Sequence, residues 1–330
     1  MRVVVAPDKF KGTTTASALA SAIGAALAGA GHEVEICPMA DGGEGFLDVL
    51  GGANRSTTVT GPLGDPVDAG WRLAKGTAVI EMAAASGLVL AGGAEENDAI
   101  EATTRGVGEL LLSAVEAGAR RIVVGVGGSA TTDGGLGALK AMHPAQKFRG
   151  IDLSVACDVR TTFVDAAEVF APQKGASPSQ VALLRRRLER LAQVFKMESG
   201  VDVTEVEGAG AAGGLAGGLL TVGAKLVSGF EFVADEVGLD ELIEGADLVI
   251  TGEGFLDDES FDGKVVGGVA ALCAELDVPC VAIVGEVIEP LPAFPKGFSV
   301  VSLTERFGVD RSMEDPIECA IEVVLDFVEH

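Results

Sequence analysis

The 330-residue chain contains no tyrosine, one tryptophan and three histidines. The missing tyrosine excludes the Tyr-Lys catalytic arrangement of one large dehydrogenase class. Basic residues are scarce as well: 24 Lys plus Arg stand against 49 Asp plus Glu, a formal net charge of -25. So acidic a surface argues against nucleic acid and anionic membranes as partners. The five cysteines (37, 157, 273, 280 and 319) have no C-x-x-C spacing. They give no zinc signal and fit buried thiols in a reducing compartment. Long apolar runs are missing too. Val3 to Ala6, ahead of Pro7, is too short for a signal-peptide core, and the uncharged stretch 12–31 holds too much Thr, Ser and Gly to span a membrane. The expectation is a soluble, cytoplasmic protein. There is no Walker loop: Gly263-Lys264 is followed by Val265 and lacks the spacing.

What the chain does have is small residues. Apolar residues make up 48%, much of that alanine, and there are 46 glycines. The length exceeds that of a usual single domain, so two α/β domains are expected. Four glycine-rich loops carry acids or hydroxyls: 41–45 (DGGEG), 125–137 (GVGGSATTDGGLG), 208–214 (GAGAAGG) and 251–257 (TGEGFLD). Their spacing follows no period, which excludes a repeat protein. The second follows the apolar run from Arg121 and leads into a helical stretch. Such a strand-to-helix turn either cradles an anion with backbone N–H groups or is merely a capped tight turn.

Hydrophobic periodicity orders the rest. Arg2 to Ala6 reads as a buried strand, Ala16 to Ala30 as a helix and Glu33 to Cys37 as the next strand. Asp8, Lys11, Asp41 and Glu44 then fall at strand carboxyl ends, where open α/β sheets bind ligands. From Thr57 to Leu90 no helix-length crossover separates the strand-like pieces, which implies an antiparallel segment and a change of domain near residue 60. Asn97 to Ala117 reads as a helix, 143–150 as a connector, Ile151 to Cys157 as a strand ending at Asp158, and Ser177 to Lys196 as a helix with a solvated basic face. The last third alternates strand (246–250, 278–284, 298–303) and helix (265–276, 316–328), with Thr251-Gly-Glu253-Gly as a loop. The expected fold is two α/β domains. One is Rossmann/flavodoxin-like with a parallel sheet, discontinuous over 1–60 and 235–330. The other is a mixed-sheet α/β domain inserted at 61–234, with the active site in the cleft between them.

Two glycine loops match dinucleotide fingerprints. Residues 125–130 fit G-x-G-x-x-A but lack an acid some twenty positions on, and 208–213 fit G-x-G-x-x-G after a poor strand. An NAD-dependent hydroxy-acid oxidoreductase is therefore one reading.

Taken together the loops resemble the type I glycerate kinase family. The carrying segments are APDKFKG (6–12), PMADGGEG (38–45), GVGGSATTDGG (125–135), ACDV (156–159), APQKGA (171–176), GAGAAGG (208–214) and TGEGFLD (251–257), seven motifs in register. The likeness runs to about Gly268 and more weakly beyond. It implies transfer of the ATP γ-phosphoryl group to a hydroxyl of D-glycerate, most simply O2, with Mg²⁺: a phosphotransferase acting on an alcohol group. In that frame Gly127, Gly128, Ser129, Asp133 and Lys174 bind the nucleotide, with Asp133 and Asp41 as metal candidates. Lys11 neutralises phosphate or carboxylate. Asp158, or else Asp257, is the base. Asp8, Asp41, Glu44, Glu253 and Lys264 are assigned to the substrate. The partners implied are small molecules, with a homodimer left open.

The chain departs from the family's usual pattern at Arg160 and Thr161, at Phe255, and in the shortness of the 143–150 connector. These departures leave room for a related hydroxy acid, and a non-catalytic hydroxy-acid-binding protein is the third reading.

Overall fold

A computed structural model describes residues 1–10 and 12–329. Among them are eleven strands: β1 (Arg2–Val5), β2 (Glu33–Ile36), β3 (Arg55–Thr60), β4 (Pro66–Ala74), β5 (Thr77–Glu81), β6 (Arg121–Gly125), β7 (Asp152–Ala156), β8 (Lys225–Val227), β9 (Leu248–Leu256), β10 (Cys280–Val287) and β11 (Phe298–Ser302). They form two sheets in two compact units. The first unit is Met1–Asp41, Asp48–Leu50 and Gly229–His330, and the second is Gly42–Leu47 and Gly51–Ser228.

The sheet of the first unit is wholly parallel, in the order β11-β10-β9-β1-β2. Strands covered on both faces read as continuous apolar runs, and Val3, Val4 and Val5 are all fully buried. The helix Ala16–Gly29 starts where the Thr15 side chain accepts from the Ala18 N–H. Its Leu19, Ala20, Ile23 and Leu27 meet Cys319, Ala320, Val323 and Val324 of the helix Pro316–Glu329 over one face of the sheet. Each fully buried Leu or Ile there contributes about 2 kcal/mol. On the other face Leu256, Val266, Ala282 and Val284 cluster.

One expectation fails in this unit. Thr251-Gly252-Glu253-Gly254 is strand, because β9 stays paired with β10 as far as Leu256 and Val287. Gly252 permits the pairing: a Cβ there would lie 2.1 Å from the carbonyl oxygen of Ile283.

The second unit has a mixed sheet in the order β3-β4-β5-β6-β7-β8. β3, β4 and β5 form the antiparallel ribbon, and β5 to β8 run parallel. β3 pairs with β4 from Arg55, and the first long stretch of this unit begins at Gly51. The core gathers Trp71, Ile80, Leu110, Leu111, Ile122, Val124 and Leu215. The helix expected from Asn97 begins only at Arg105. Asn97 instead donates from Nδ2 to the carbonyls of Ala130 and Lys174, at 3.1 and 2.8 Å.

The helix Pro178–Ser199 opens with a capping box between Ser177 and Gln180. Arg185 on it reaches Asp165, Glu168 and Glu189 at the surface. The connector 143–150 holds a single 3₁₀ turn, Ala145–Phe148. No helix among the described residues is long and apolar enough to cross a membrane.

Candidate active site

In the first unit β1 has β2 on one side and β9 on the other, so their carboxyl ends form a topological switch point, where doubly wound sheets bind ligands. Asp8 sits there, its N–H donating to the Gly252 carbonyl at 2.8 Å. Its carboxylate accepts from the Lys9 N–H at 2.6 Å and from Lys9 Nζ at 3.5 Å. The same ammonium lies 3.8 Å from Asp41. Burial lifts the Asp8 carboxyl to about 6, with Lys9 pulling it down and Asp41 pushing it further up.

Glu253 is near the carboxyl end of β9. Its Oε1 is buried without a hydrogen-bond partner. Burial raises this carboxyl to about 8; the Ser260 hydrogen bond and Lys264 oppose the rise, while Asp8 and Asp257 add to it. Two buried carboxyls thus have raised proton affinities, a condition typical of functional sites.

Asp257 caps the 3₁₀ turn Asp258–Phe261, accepting from the N–H and hydroxyl of Ser260 at 3.0 and 3.1 Å. Lys264 lies 3.8 Å from Asp257 and 3.3 Å from Glu259, at the amino end of the helix Val265–Glu275. These bonds give Asp257 a structural occupation that a free base would lack. Lys11 lies outside the described residues.

In the second unit the loop after β6 leads into the helix Leu136–Ala141 as expected. The anion at that helix start is the chain's own. Asp133 accepts from the N–H groups of Gly135 and Gly137 at 3.0 and 3.1 Å and from the N–H and hydroxyl of Thr104, each at 2.9 Å. With both oxygens taken by N–H and O–H donors, Asp133 is a loop anchor.

Lys174 is likewise internal, 3% exposed, with Nζ 2.6 Å from both Ser129 Oγ and the Thr131 carbonyl. Burial lowers its pKa to about 7, against the pull of Asp133. Lys174 and the Ser129 hydroxyl thus tie the loop together. Gly127 donates its N–H to the Gly42 carbonyl at 3.2 Å, and the Gly128 carbonyl accepts from Leu88. Gly128 is exposed, and Glu44, in the same unit, is also exposed.

Asp158 lies half-buried just past β7. The neighbouring Cys157 thiol is pushed to about 11 by burial and by Asp158. The loop 208–214 proves to be close packing. Gly210 N–H donates to the Thr161 carbonyl at 2.9 Å, and a Cβ on Gly213 would stand 2.0 Å from the Thr131 carbonyl oxygen. That removes it as a dinucleotide turn.

Sequence reasoning missed Thr104 and Ser260. Thr104 is 29 residues from Asp133 and in no motif, so nothing local marks it. Among the described residues no three His, Cys, Asp or Glu side chains converge as a ready metal cage.

With this geometry in place, known proteins become informative. The glycerate kinase family pattern matches residues 3–147 and 142–318, the two segments meeting at the short connector. The chain is 40% identical over 329 aligned residues to the glycerate 2-kinase of Escherichia coli K12, covering 88% of this chain and 86% of that protein. It is 38% identical to a glycerate kinase of Bacillus subtilis 168, covering 87% and 85%. A crystal structure described as glycerate kinase 2 from Salmonella typhimurium LT2 superposes with a TM-score of 0.79 at 32% identity, covering 100% of this chain and 98% of the other. The likenesses place the chain among enzymes of the kinase class. More particularly, it belongs to the glycerate kinase family.

Proposed function

We propose that this enzyme transfers the γ-phosphoryl group of ATP to O2 of D-glycerate, with Mg²⁺, giving 2-phosphoglycerate. The observation that carries the reading is the pair of buried carboxyls, Asp8 and Glu253, at the switch point of the parallel sheet, set in a chain of the glycerate kinase family. Phosphoryl transfer needs positioned charges and a proton acceptor more than covalent chemistry.

Asp8, Asp41 and Glu253 would hold Mg²⁺. Their hard oxygen donors suit it, and the orphaned Glu253 Oε1 is an acceptor in want of a cation. Mg²⁺ keeps several waters and binds through one or two carboxylates plus substrate phosphates. When bound, the ion supplies neutralisation of charge on the transferring phosphoryl group. Lys264, at a helix amino end, offers its ammonium to the glycerate carboxylate. Gly127 and Gly128 are assigned to the nucleotide phosphates. Asp158, just past the carboxyl end of β7, takes the proton of the acceptor hydroxyl, while Asp257 uses Oδ1 to cap its turn.

The test is an ADP-release assay with D-glycerate, ATP and Mg²⁺, with the product resolved by phosphorus NMR. 2-Phosphoglycerate is expected. A product phosphorylated at O3 would overturn the regiochemistry, and absence of any glycerate-dependent ADP would overturn the reading itself.

A further inference from the structure

On the face of the first sheet covered by the helices Ala16–Gly29 and Pro316–Glu329, the side chains of β9 and β10 shrink toward the carboxyl ends. Alternate residues along a strand share a face. Leu248 and Ile250 therefore give way to Gly252, and Val281 and Ile283 lead to Gly285; beyond Gly254 and Gly285 the alternation shifts, since Leu256 packs with Ala282 and Val284 on the opposite face. Gly254 and Gly285 are neighbours, since Glu253 pairs with Val284 and Phe255 with Glu286. A Cβ on Gly285 would lie 2.4 Å from the Gly254 carbonyl oxygen, so this strip must be bare backbone.

The strip floors an open cleft. Phe10, Phe255, Val309 and Met313 wall it, and Glu286 stands among the lining residues. Three of those apolar side chains remain uncovered: Phe255 is 45%, Met313 53% and Val309 63% exposed.

The lining decides what fits. Its described residues include a carboxylate and no Lys or Arg, which disfavours glycerate or a phosphate. A flat floor between aromatic and thioether walls suits a planar ring, and a carboxylate accepts from an amine on that ring. We propose that this cleft is the seat of the adenine ring of ATP, with Glu286 accepting from the exocyclic amine. The assignment rests on the kinase reading above. The cleft also continues from the carboxylates assigned to Mg²⁺, since Gly254 follows Glu253 and Phe10 is two residues beyond Asp8.

Adenosine, which has no phosphates, probes the cleft alone, and inosine differs from it by replacing the amine with a carbonyl. Saturation-transfer NMR on the full chain is expected to show adenosine binding that ATP displaces. Val309→Trp, placed at an exposed position so that the core is untouched, is expected to abolish it. Glu286→Gln is expected to narrow the preference for adenosine over inosine at least fivefold. In turnover, Val309→Trp should raise the ATP KM at least tenfold and leave the glycerate KM within twofold. Adenosine binding that survives Val309→Trp, or a rise in the glycerate KM alone, would overturn the assignment. Adenosine binding without any kinase turnover would support the cleft while sinking the kinase reading. ATP-dependent turnover without adenosine binding would do the reverse.

Discussion

The buried ammonium of Lys174 lies 2.6 Å from Ser129 Oγ and 2.6 Å from the carbonyl oxygen of Thr131, and so clamps the glycine loop after β6. Its pKa falls to about 7 because burial disfavours the charged form. The folded value is thus below the unfolded one. The lysine's contribution to stability is whole above the unfolded pKa near 10.5 and is lost as pH falls through about 7. Relative to Lys174→Met, the wild type is expected to lose on the order of a few kcal/mol between pH 10 and pH 7. Urea melts of both proteins across that range measure it, and a difference independent of pH would contradict the buried-amine account.

Glu253 carries the opposite chemistry with the same experimental logic. Its folded pKa, about 8, is raised above the ordinary 4.5. The stabilisation is therefore complete below the unfolded value and lost as pH rises through about 8. Glu253→Gln is expected to remove this slope and to be more stable than wild type at pH 9, by an amount on the order of a few kcal/mol. Thermal melts from pH 5 to 9 decide it. A wild type no less stable than the variant at pH 9 would mean that the carboxyl is not desolvated.

Asp133 binds four donor groups, drawn from Thr104, Gly135 and Gly137. Asparagine has one acceptor oxygen and turns an N–H₂ toward those donors. Asp133→Asn is expected to cost about 2–4 kcal/mol, read in urea denaturation. A variant of full stability that has lost only ATP affinity would show that Asp133 acts as a ligand instead.

Gly213 has φ +64° and its absent Cβ would stand 2.0 Å from the Thr131 carbonyl oxygen. Alanine there meets both a backbone conformation that L residues avoid and a backbone atom that cannot swing aside. Gly213→Ala is expected to destabilise by about 2–4 kcal/mol or to prevent soluble expression. A normal melting temperature would show that the loop is looser than its packing implies.

Asp158→Asn tests the assigned base directly. Loss of general-base catalysis is expected to lower kcat by roughly 10²–10⁴-fold with KM for glycerate little changed. The parallel Asp257→Asn variant is expected to keep kcat within about tenfold while loosening the turn capped by Asp257. An Asp158→Asn enzyme with wild-type kcat would remove it from the mechanism.

Much was readable from the chain alone. Val3–Val5 announced a strand covered on both faces. The run of short strands after residue 55 gave away an antiparallel ribbon, and the seven glycine and acid motifs pointed to the glycerate kinase family. Composition and periodicity act over a few residues, so the sequence displays them directly.

Tertiary structure alone decided what those residues touch. β9 runs on through Glu253 because β10 lies beside it, although Thr-Gly-Glu-Gly reads locally as a turn. Asp133 takes two of its donors from Thr104, 29 residues away, which no local pattern shows. Lys174 reads in sequence as a nucleotide contact, and only the fold shows its burial against a loop 45 residues distant, which lowers its pKa. Burial, hydrogen-bond partners and protonation depend on groups brought together from distant parts of the chain, and only the fold assembles them.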